Sequence, residues 1–240
     1  MSIRAVTFDF WGTLYREIEA AGGVRMRKRA LALAEATGVP LADAERVLLA
    51  AAREFGHVHI AEHRTLTPHD AVHLATTALG TTLSDDTVGA LAEFFATIIL
   101  EHPPVPVEDA LDAVRAAAAR VPVGVISDTG ISPGSSLRVL LERDGFMPHL
   151  RHLSFSDEVG VSKPQALMFT RTAEALGVAA DELLHLGDLE PTDIAGVRAL
   201  GGQAGLFAGV NAGFLAVTRA EHVFTTWREF LGQIDRLINL

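Results

Sequence analysis

Short apolar runs alternate with helical runs from about residue 103 onward in this 240-residue chain, and this alternation limits its fold more than any other feature. Strand-like runs lie at 121–127, 152–155, 183–187 and 203–207, with a weaker one at 222–224. Helical runs lie at about 107–119, 133–144, 164–176, 191–200 and 226–238. Strands that alternate with helices form βαβ units, so this part of the chain predicts an α/β fold with a parallel sheet.

The N-terminal part of the chain adds one more strand and then a long helical insert. Residues 3–8 form an apolar run that predicts a buried strand, and from about 16 to 102 the pattern is helical and strand-free. Glycine- and proline-containing breaks indicate four helices there, one of them beginning at Thr67 with Pro68 in the first helical position. Three prolines within 103–106 indicate a stiff linker. The predicted domains are therefore a core of 1–15 plus 103–240 and a helical subdomain of 16–102.

Composition excludes several classes of function. A formal net charge of −10 argues against nucleic acid as a partner, because a phosphate backbone needs a basic footprint. The chain has no cysteine, which excludes disulfides, thiol nucleophiles and zinc–thiolate sites. No apolar stretch approaches the ~20 residues of a membrane span, and no signal peptide is recognisable. We therefore expect a cytoplasmic enzyme with a small-molecule substrate, and the sequence does not indicate its oligomeric state. A basic run at 25–29 is interpreted as a solvated helix face.

An aspartate ends the first strand. Asp9 is followed by Phe10-Trp11-Gly12-Thr13, where glycine permits a tight turn. A carboxylate nucleophile has to be pointed by a rigid element, with backbone N–H groups nearby to hold an anion. Asp9 is therefore a candidate nucleophile.

Two further candidates stand at the next strand end and in a loop. Ser127 ends the run at 121–127 and is followed by Asp128, whose role is left open. Lys163 precedes Pro164 in a glycine-containing loop. Proline is common at the first helical position, so we expect a helix to begin at Pro164, with Lys163 at its positive end where anions are favoured.

The strongest signal is a buried strand that ends in two spaced acids. The run at 183–187 leads to Asp188, and Asp193 follows at a predicted helix start. Mg²⁺ prefers oxygen ligands and takes only one or two carboxylates while it keeps several waters. The spacing therefore favours a magnesium site.

These four segments, in this order, resemble the motifs of the haloacid dehalogenase (HAD) superfamily. The resemblance implies a Rossmann-like three-layer parallel-sheet core with an inserted C1-type helical cap. It also implies hydrolysis of a small phosphate ester through an aspartyl-phosphate. The implied roles are Asp9 as nucleophile, Ser127 and Lys163 as catalytic residues that also bind phosphoryl oxygens, Phe10 and Trp11 as phosphoryl ligands through backbone N–H groups, and Asp9, Trp11 (carbonyl), Asp188 and Asp193 as the Mg²⁺ site.

Trp11 departs from the family's phosphatases, in which the residue two past the nucleophile is usually a second aspartate that acts as general acid/base. Such a group contributes typically 10²–10⁴-fold to rate. Candidates to replace this group are His57, His59, His63 and Glu190. Arg64 in the insert is a candidate to bind the acid group of a substrate.

Two alternatives remain. The dehalogenase branch of the family also carries an aromatic residue at the position of Trp11, so a 2-haloacid substrate is an alternative. That branch generally has serine, asparagine and tyrosine where this chain has Asp188, Glu190 and Phe169. The other alternative is a weakly active or non-catalytic member that binds a ligand or a partner.

Overall fold

The computed structural model describes residues 2–238, and a six-stranded parallel sheet forms its core. The strands are β1 (Ala5–Phe8), β4 (Val123–Ser127), β5 (His152–Phe155), β6 (Leu183–Gly187), β7 (Gln203–Phe207) and β8 (His222–Phe224). Their order is β5-β4-β1-β6-β7-β8, and every neighbouring pair is parallel. The predicted α/β parallel sheet is confirmed, including the weak strand at 222–224.

β1, β4 and β6 lie side by side, and every residue in them is buried. Near-continuous apolar runs of this kind are typical of parallel strands that are covered on both faces. The helices from residue 105 onward are α5 (Ala110–Ala118), α6 (Gly134–Arg143), α7 (Ser156–Val159), α8 (Ala166–Leu176), α9 (Ala195–Ala199) and α10 (Trp227–Leu237). Because parallel strands end at the same edge, the residues after β1, β4 and β6 are brought together there.

A second, two-stranded sheet was not predicted. β2 (Tyr15–Arg16) pairs antiparallel with β3 (Val105–Pro106). β3 lies within the segment that was interpreted as a stiff linker. Proline is tolerated in such a pair because each strand is only two residues long and lies at an edge.

The chain divides into two compact units. The sheet unit contains residues up to Arg16, Val105–Asp128 and the chain from Leu141 onward, and the helical unit contains Glu17–Pro104 and Thr129–Leu140. Residues 129–140 therefore group with the helices, whereas the sequence interpretation assigned them to the core. No helix among the described residues is long and apolar enough to cross a membrane.

The helical unit contains the four predicted helices, α1 (Glu19–Thr37), α2 (Leu41–His57), α3 (Pro68–Leu79) and α4 (Asp85–Thr97). Their apolar faces form one core, which includes Leu33, Leu48, Val72 and Phe95. The predicted start of α3 is confirmed, because Thr67 and Asp70 form a reciprocal capping box with Pro68 at the first position.

α2 ends at His57 and is followed by a π-helical turn over Val58–Glu62. Two local expectations about helices are wrong. The basic run at 25–29 is not wholly solvated, because Arg25 and Arg29 are buried. Pro164 does not begin a helix: the Lys163–Pro164 peptide bond is cis, and α8 begins at Ala166 after a turn. Lys163 therefore lies in the loop before α8 rather than at its first turn.

Candidate active site

Asp9 directly follows β1, the strand with neighbours on both sides at the centre of the sheet. Its backbone N–H donates to the Leu186 carbonyl of β6 at 2.8 Å, which holds the residue in line with the strand end. The side chain is 5% exposed. Oδ1 accepts a hydrogen bond from Lys163, while Oδ2 accepts none from the described residues. One carboxylate oxygen is thus held and the other is available for chemistry.

Lys163 binds two of the predicted acids at once. Its Nζ donates to Asp9 Oδ1 at 2.6 Å, to Asp193 Oδ1 at 2.7 Å and to the Ile126 carbonyl at 3.1 Å. An ammonium group has three protons, and all three are used here. The loop before α8 therefore brings the lysine to the aspartates that follow β1 and β6.

The charges in this cluster do not balance, because one ammonium serves several carboxylates. Burial raises the pKa of Asp9 well above its ordinary range against the opposing charge of Lys163, and Asp193 and Asp188 add to the increase. Burial also opposes ionisation of Asp193, but Lys163 and His185 outweigh it and lower its pKa. Lys163 itself has a raised pKa, since Asp193 and Asp9 overcome the cost of burying its charge. The ammonium and Asp193 are therefore ionised, whereas burial and the neighbouring acids disfavour the ionised form of Asp9 unless further positive charge is bound.

Asp188 lies against the turn that follows Asp9. Burial, and secondarily the charge of Asp193, raises its pKa to about 6. Gly12 has φ of 71°, and a Cβ atom there would lie 2.6 Å from Oδ2 of Asp188. The turn therefore needs glycine both for its backbone conformation and for the close approach of this carboxylate.

The expected metal ligands, Asp9, Asp188 and the Trp11 carbonyl, are oxygen donors of the kind that a hard divalent cation takes, with few carboxylates among them. Among residues 2–238, no three histidine, aspartate or glutamate side chains converge as a preformed metal site. The excess of carboxylate over ammonium and the close packing of Asp188 on the Gly12 turn nevertheless fit a bound Mg²⁺. Asp193 is committed to Lys163, to His185 and to the Leu189 N–H at 3.0 Å.

The backbone of the turn after β1 leaves two donors unused. The N–H groups of Asp9 and Gly12 donate to backbone carbonyls at 2.8 Å each. Phe10 and Trp11 lie between these two residues in the chain. Within the described residues, neither of their N–H groups donates a hydrogen bond to a backbone carbonyl. Two adjacent free N–H groups beside a carboxylate can hold an anion.

Ser127 and Asp128 extend the end of β4. Ser127 is fully buried, and its Oγ donates to the Asp128 carbonyl at 3.2 Å. Asp128 Oδ1 accepts the backbone N–H of Lys163 at 2.9 Å. The role of Asp128, which was left open above, is thus partly structural, because its carboxylate fixes the loop that carries the lysine.

Two neighbouring residues in the strands were missed. His185 of β6 is fully buried; its Nδ1 lies 2.9 Å from Thr7 Oγ1 and its Nε2 lies 3.0 Å from Asp193 Oδ1. Burial lowers its pKa despite the nearby carboxylate, so the ring is neutral. Asp193 is ionised and can only accept, hence Nε2 carries the proton and the Thr7 hydroxyl donates to Nδ1. In the sequence, the one indication of these hydrogen bonds was that His185 is a polar residue within an apolar strand.

A third missed residue is Asn211, in the segment after β7. Its Nδ2 donates to Asp188 Oδ2 at 2.9 Å. The same segment binds Glu190, whose carboxylate accepts from the Thr218 hydroxyl at 2.7 Å and the Arg219 N–H at 3.1 Å. Glu190 is therefore occupied as an anchor, which weakens its candidacy as a substitute proton carrier. Nothing in the sequence pattern indicated Asn211.

Arg64 and the histidines proposed above belong to the helical unit. Arg64 is exposed and pairs with Glu62 at 3.0 Å. It lines a hollow of about 360 Å³ within that unit. His57 ends α2, His59 lies in the π-helical turn, and His63 follows it with φ of 51°. Their proposed roles stay predictions.

Comparison with known proteins connects this geometry to a family. Similar structures are an HAD phosphatase from Thermococcus onnurineus (17% identity, TM-score 0.69, 99% of this chain and 98% of that chain) and a 2-haloacid dehalogenase from Pseudomonas syringae pv. Tomato DC3000 (20%, 0.71, 98% and 99%). Another is YfnB from Bacillus subtilis bound to magnesium (16%, 0.65, 100% and 100%). At these identities the likeness shows the fold alone. No curated protein sequence matches the chain. The family model for haloacid dehalogenase-like hydrolases matches residues 3–201, and the protein therefore belongs to that family of hydrolases.

Proposed function

We propose that this protein is a Mg²⁺-dependent phosphohydrolase that acts on a small phosphate ester. The observation that carries the proposal is the charge imbalance at the end of β1. Three buried carboxylates, those of Asp9, Asp188 and Asp193, have one ammonium between them. Buried charges are stable only when they are paired or coordinate a metal. A divalent cation together with a phosphoryl group would complete the site.

Asp9 supplies the nucleophile in this proposal. Its free oxygen attacks phosphorus, an O–P bond to the carboxylate forms, and the O–P bond to the leaving alcohol breaks. Water then attacks the phosphorus of the aspartyl-phosphate, which releases inorganic phosphate and restores the carboxylate. Lys163 holds the other oxygen of Asp9 throughout, and so fixes the attack direction.

The phosphoryl oxygens would be bound by donors around the Gly12 turn. The N–H groups of Phe10 and Trp11 are available, and the Ser127 hydroxyl can exchange its long 3.2 Å bond for one to phosphate. Lys163 has no spare proton, so it acts on the phosphoryl group mainly through its charge. Positioning and charge stabilisation are most of what phosphoryl transfer requires.

Asp9, Asp188 and the Trp11 carbonyl would hold Mg²⁺, with Asp193 in support through Lys163. When bound, the ion would supply positive charge that stabilises a phosphoryl group. Asn211 keeps Asp188 in place by its hydrogen bond. Because residue 11 contributes only a carbonyl, tryptophan at this position leaves the proposed metal set intact.

Trp11 favours a second candidate function, hydrolysis of a 2-haloacid. Halide leaves without a proton, so that reaction does not need an acid at residue 11. Asp188 opposes this candidate, since a cluster of carboxylates without a cation would repel the acid group of a haloacid. A non-catalytic role in ligand or partner binding is the third candidate.

The test is an assay of the purified protein with an aryl phosphate and, separately, with a 2-haloacid. We expect phosphate release that requires Mg²⁺ and is abolished by chelator and by Asp9→Asn. Halide release that persists in chelator would overturn the phosphatase in favour of the dehalogenase. No turnover of either substrate class, from a protein whose melting curve shows that it is folded, would favour the non-catalytic candidate.

A further inference from the structure

Arg29 in the helical unit is a buried cation without a carboxylate partner. The residue is 5% exposed, and no described acid forms a salt bridge with it. Arg25, one turn earlier on α1, is equally buried but pairs with Glu17 and donates to the His102 carbonyl at 2.6 Å. Two arginines on one helix face thus share one acid. Burial, and then the charge of Arg25, lowers the pKa of Arg29 to about 10, so it stays charged at neutral pH.

The hydrogen bonds of Arg29 explain only part of its side chain. Nε and Nη2 donate to the Phe95 carbonyl at 3.2 and 2.7 Å. That carbonyl belongs to the last turn of α4, where helices leave acceptors unpaired, so capping accounts for these two nitrogens. Nη1 has no acceptor among the described residues, and Glu17, whose charge favours the guanidinium, is itself paired with Arg25. Buried charges are normally paired.

A cavity lies beside this guanidinium, wholly within the helical unit. Its volume is about 170 Å³, and its lining consists of Arg29 and apolar side chains that include Met26, Leu48, Ala51, Phe55 and Ile131. Arg29 is the only charged residue in the lining. A dry cavity of ~150 Å³ in another protein takes a benzene-sized ligand, so this cavity has room for about six to eight heavy atoms.

We propose that this cavity is a binding site for a small organic monoanion, a carboxylate with a short apolar chain. The carboxylate would accept hydrogen bonds from Arg29, including Nη1, and would supply the missing negative charge. The apolar chain would lie against Met26, Leu48 and Phe55, which offer no polar partner. A single guanidinium matches a monoanion better than a phosphate dianion. Binding to this site can be measured without catalysis.

Isothermal titration of the full-length protein with pentanoate tests the proposal, with pentanamide as a neutral ligand of the same size. We expect saturable one-to-one binding of pentanoate, and at least about 10-fold weaker binding of pentanamide, because the amide lacks the negative charge and one of the two acceptor oxygens. Equal affinity for the two ligands, or no saturable binding of pentanoate, would overturn the proposal.

Three variants locate the binding. Arg29→Gln removes the charge and keeps a donor for Phe95, and it should weaken pentanoate binding at least about 10-fold. Ala51→Leu fills the cavity without a change in charge and should weaken the binding of both pentanoate and pentanamide. Arg27→Gln is the matched control, since Arg27 is exposed on the same helix and pairs with Glu45. Pentanoate binding that survives both Arg29→Gln and Ala51→Leu would place it elsewhere and refute this site.

A kinetic arm distinguishes two sources of the anion. Competitive inhibition by pentanoate would identify the occupant as the acid group of the substrate. Binding with unchanged KM would identify a separate metabolite, and either result supports the site.

Discussion

Residue-level placement explains which members of the candidate site were predictable. Asp9 and Asp188 follow strands and Ser127 ends one, and ligands of a parallel sheet bind beyond these strand ends, so their position in the chain made them candidates. Lys163 was found from its loop, although the expected helix start was wrong. His185 and Thr7 lie inside strands and carry no positional signal, because a polar residue in such a run is more often a satisfied core residue.

Trp11→Asp tests whether the indole replaces a proton carrier. We expect turnover of an unactivated alkyl phosphate to rise at least about 10-fold, a modest part of the 10²–10⁴-fold that general acid–base catalysis contributes. Turnover of an activated aryl phosphate should change little, since its leaving group needs no proton. Both rates are measured with Mg²⁺, and Trp11→Asn serves as the control for loss of the ring. A folded Trp11→Asp protein without any gain would show that another group already carries the proton.

His185 is expected to act as a positioning residue through Asp193. His185→Leu removes one hydrogen bond to that carboxylate and leaves the Thr7 hydroxyl unpaired. Because a hydrogen bond to a charged group is worth about 1.5–3 kcal/mol, kcat should fall about 10-fold or more while KM changes little. Steady-state kinetics measures both constants.

The control for this prediction is His222→Gln, which changes another strand histidine, hydrogen-bonded to Gln203 at the far edge of the sheet. An unchanged kcat in folded His185→Leu, or an equal loss in His222→Gln, would contradict the positioning role. In the wild type, nitrogen NMR should show the His185 tautomer protonated at Nε2.

At the level of elements, prediction succeeded where periodicity and end signals agreed. The four strands at 152–155, 183–187, 203–207 and 222–224 have the predicted bounds, and the four helices of the insert are present. The short β2–β3 pair could not be predicted, because two-residue strands have no periodicity. The helix start expected at Pro164 was wrong because this proline lies in a turn, and α8 begins two residues later at Ala166.

The last helix of the sheet unit makes long-range contacts that a sequence pattern does not predict. Trp227 is fully buried and stacked on Phe207 at 4.3 Å between ring centroids. Its indole Nε1 also donates to the Thr13 carbonyl at 3.2 Å, which connects α10 to the segment after Asp9. A donor–acceptor pair 214 residues apart has no signature in a single sequence.

The capping box of α3 gives a stability prediction at this scale. The Thr67 hydroxyl accepts the Asp70 N–H, and the Asp70 carboxylate accepts the Thr67 N–H at 2.7 Å. Thr67→Ala should lower the free energy of unfolding by about 1 kcal/mol, as loss of such a cap typically does. Urea denaturation measures the change. Thr77→Ala on the exposed face of the same helix is the control and should stay within about 0.5 kcal/mol of wild type. Equal effects of the two substitutions would mean that the box contributes nothing.

For the whole molecule, the charge excess at Asp9 and Asp188 should appear as a pH-dependent stability. The folded protein holds Asp188 with a pKa of about 6, against an ordinary value near 3.8, and the pKa of Asp9 is raised as well. Between the ordinary and the raised values the folded state binds protons that the unfolded chain has released. The contribution of these groups is therefore complete below about pH 4 and is lost as pH rises through 6 and above. Asp193 has the opposite shift, and its contribution is lost only in strong acid.

Mg²⁺ should reverse this loss, because its carboxylate ligands must be deprotonated to bind it. We expect the increase in Tm on adding Mg²⁺ to a chelator-treated sample to be larger at pH 8 than at pH 5. An ion at 100 times its Kd stabilises by about 2.7 kcal/mol, and each kcal/mol is worth about 2–4 °C in a protein of this size. Asp188→Asn should shrink the increase at pH 8, whereas Asp181→Asn, an exposed acid in the turn before β6, should not. A Tm that is indifferent to Mg²⁺ at pH 8 would leave the excess carboxylates to be balanced by protons alone, and would remove the metal from the proposed function.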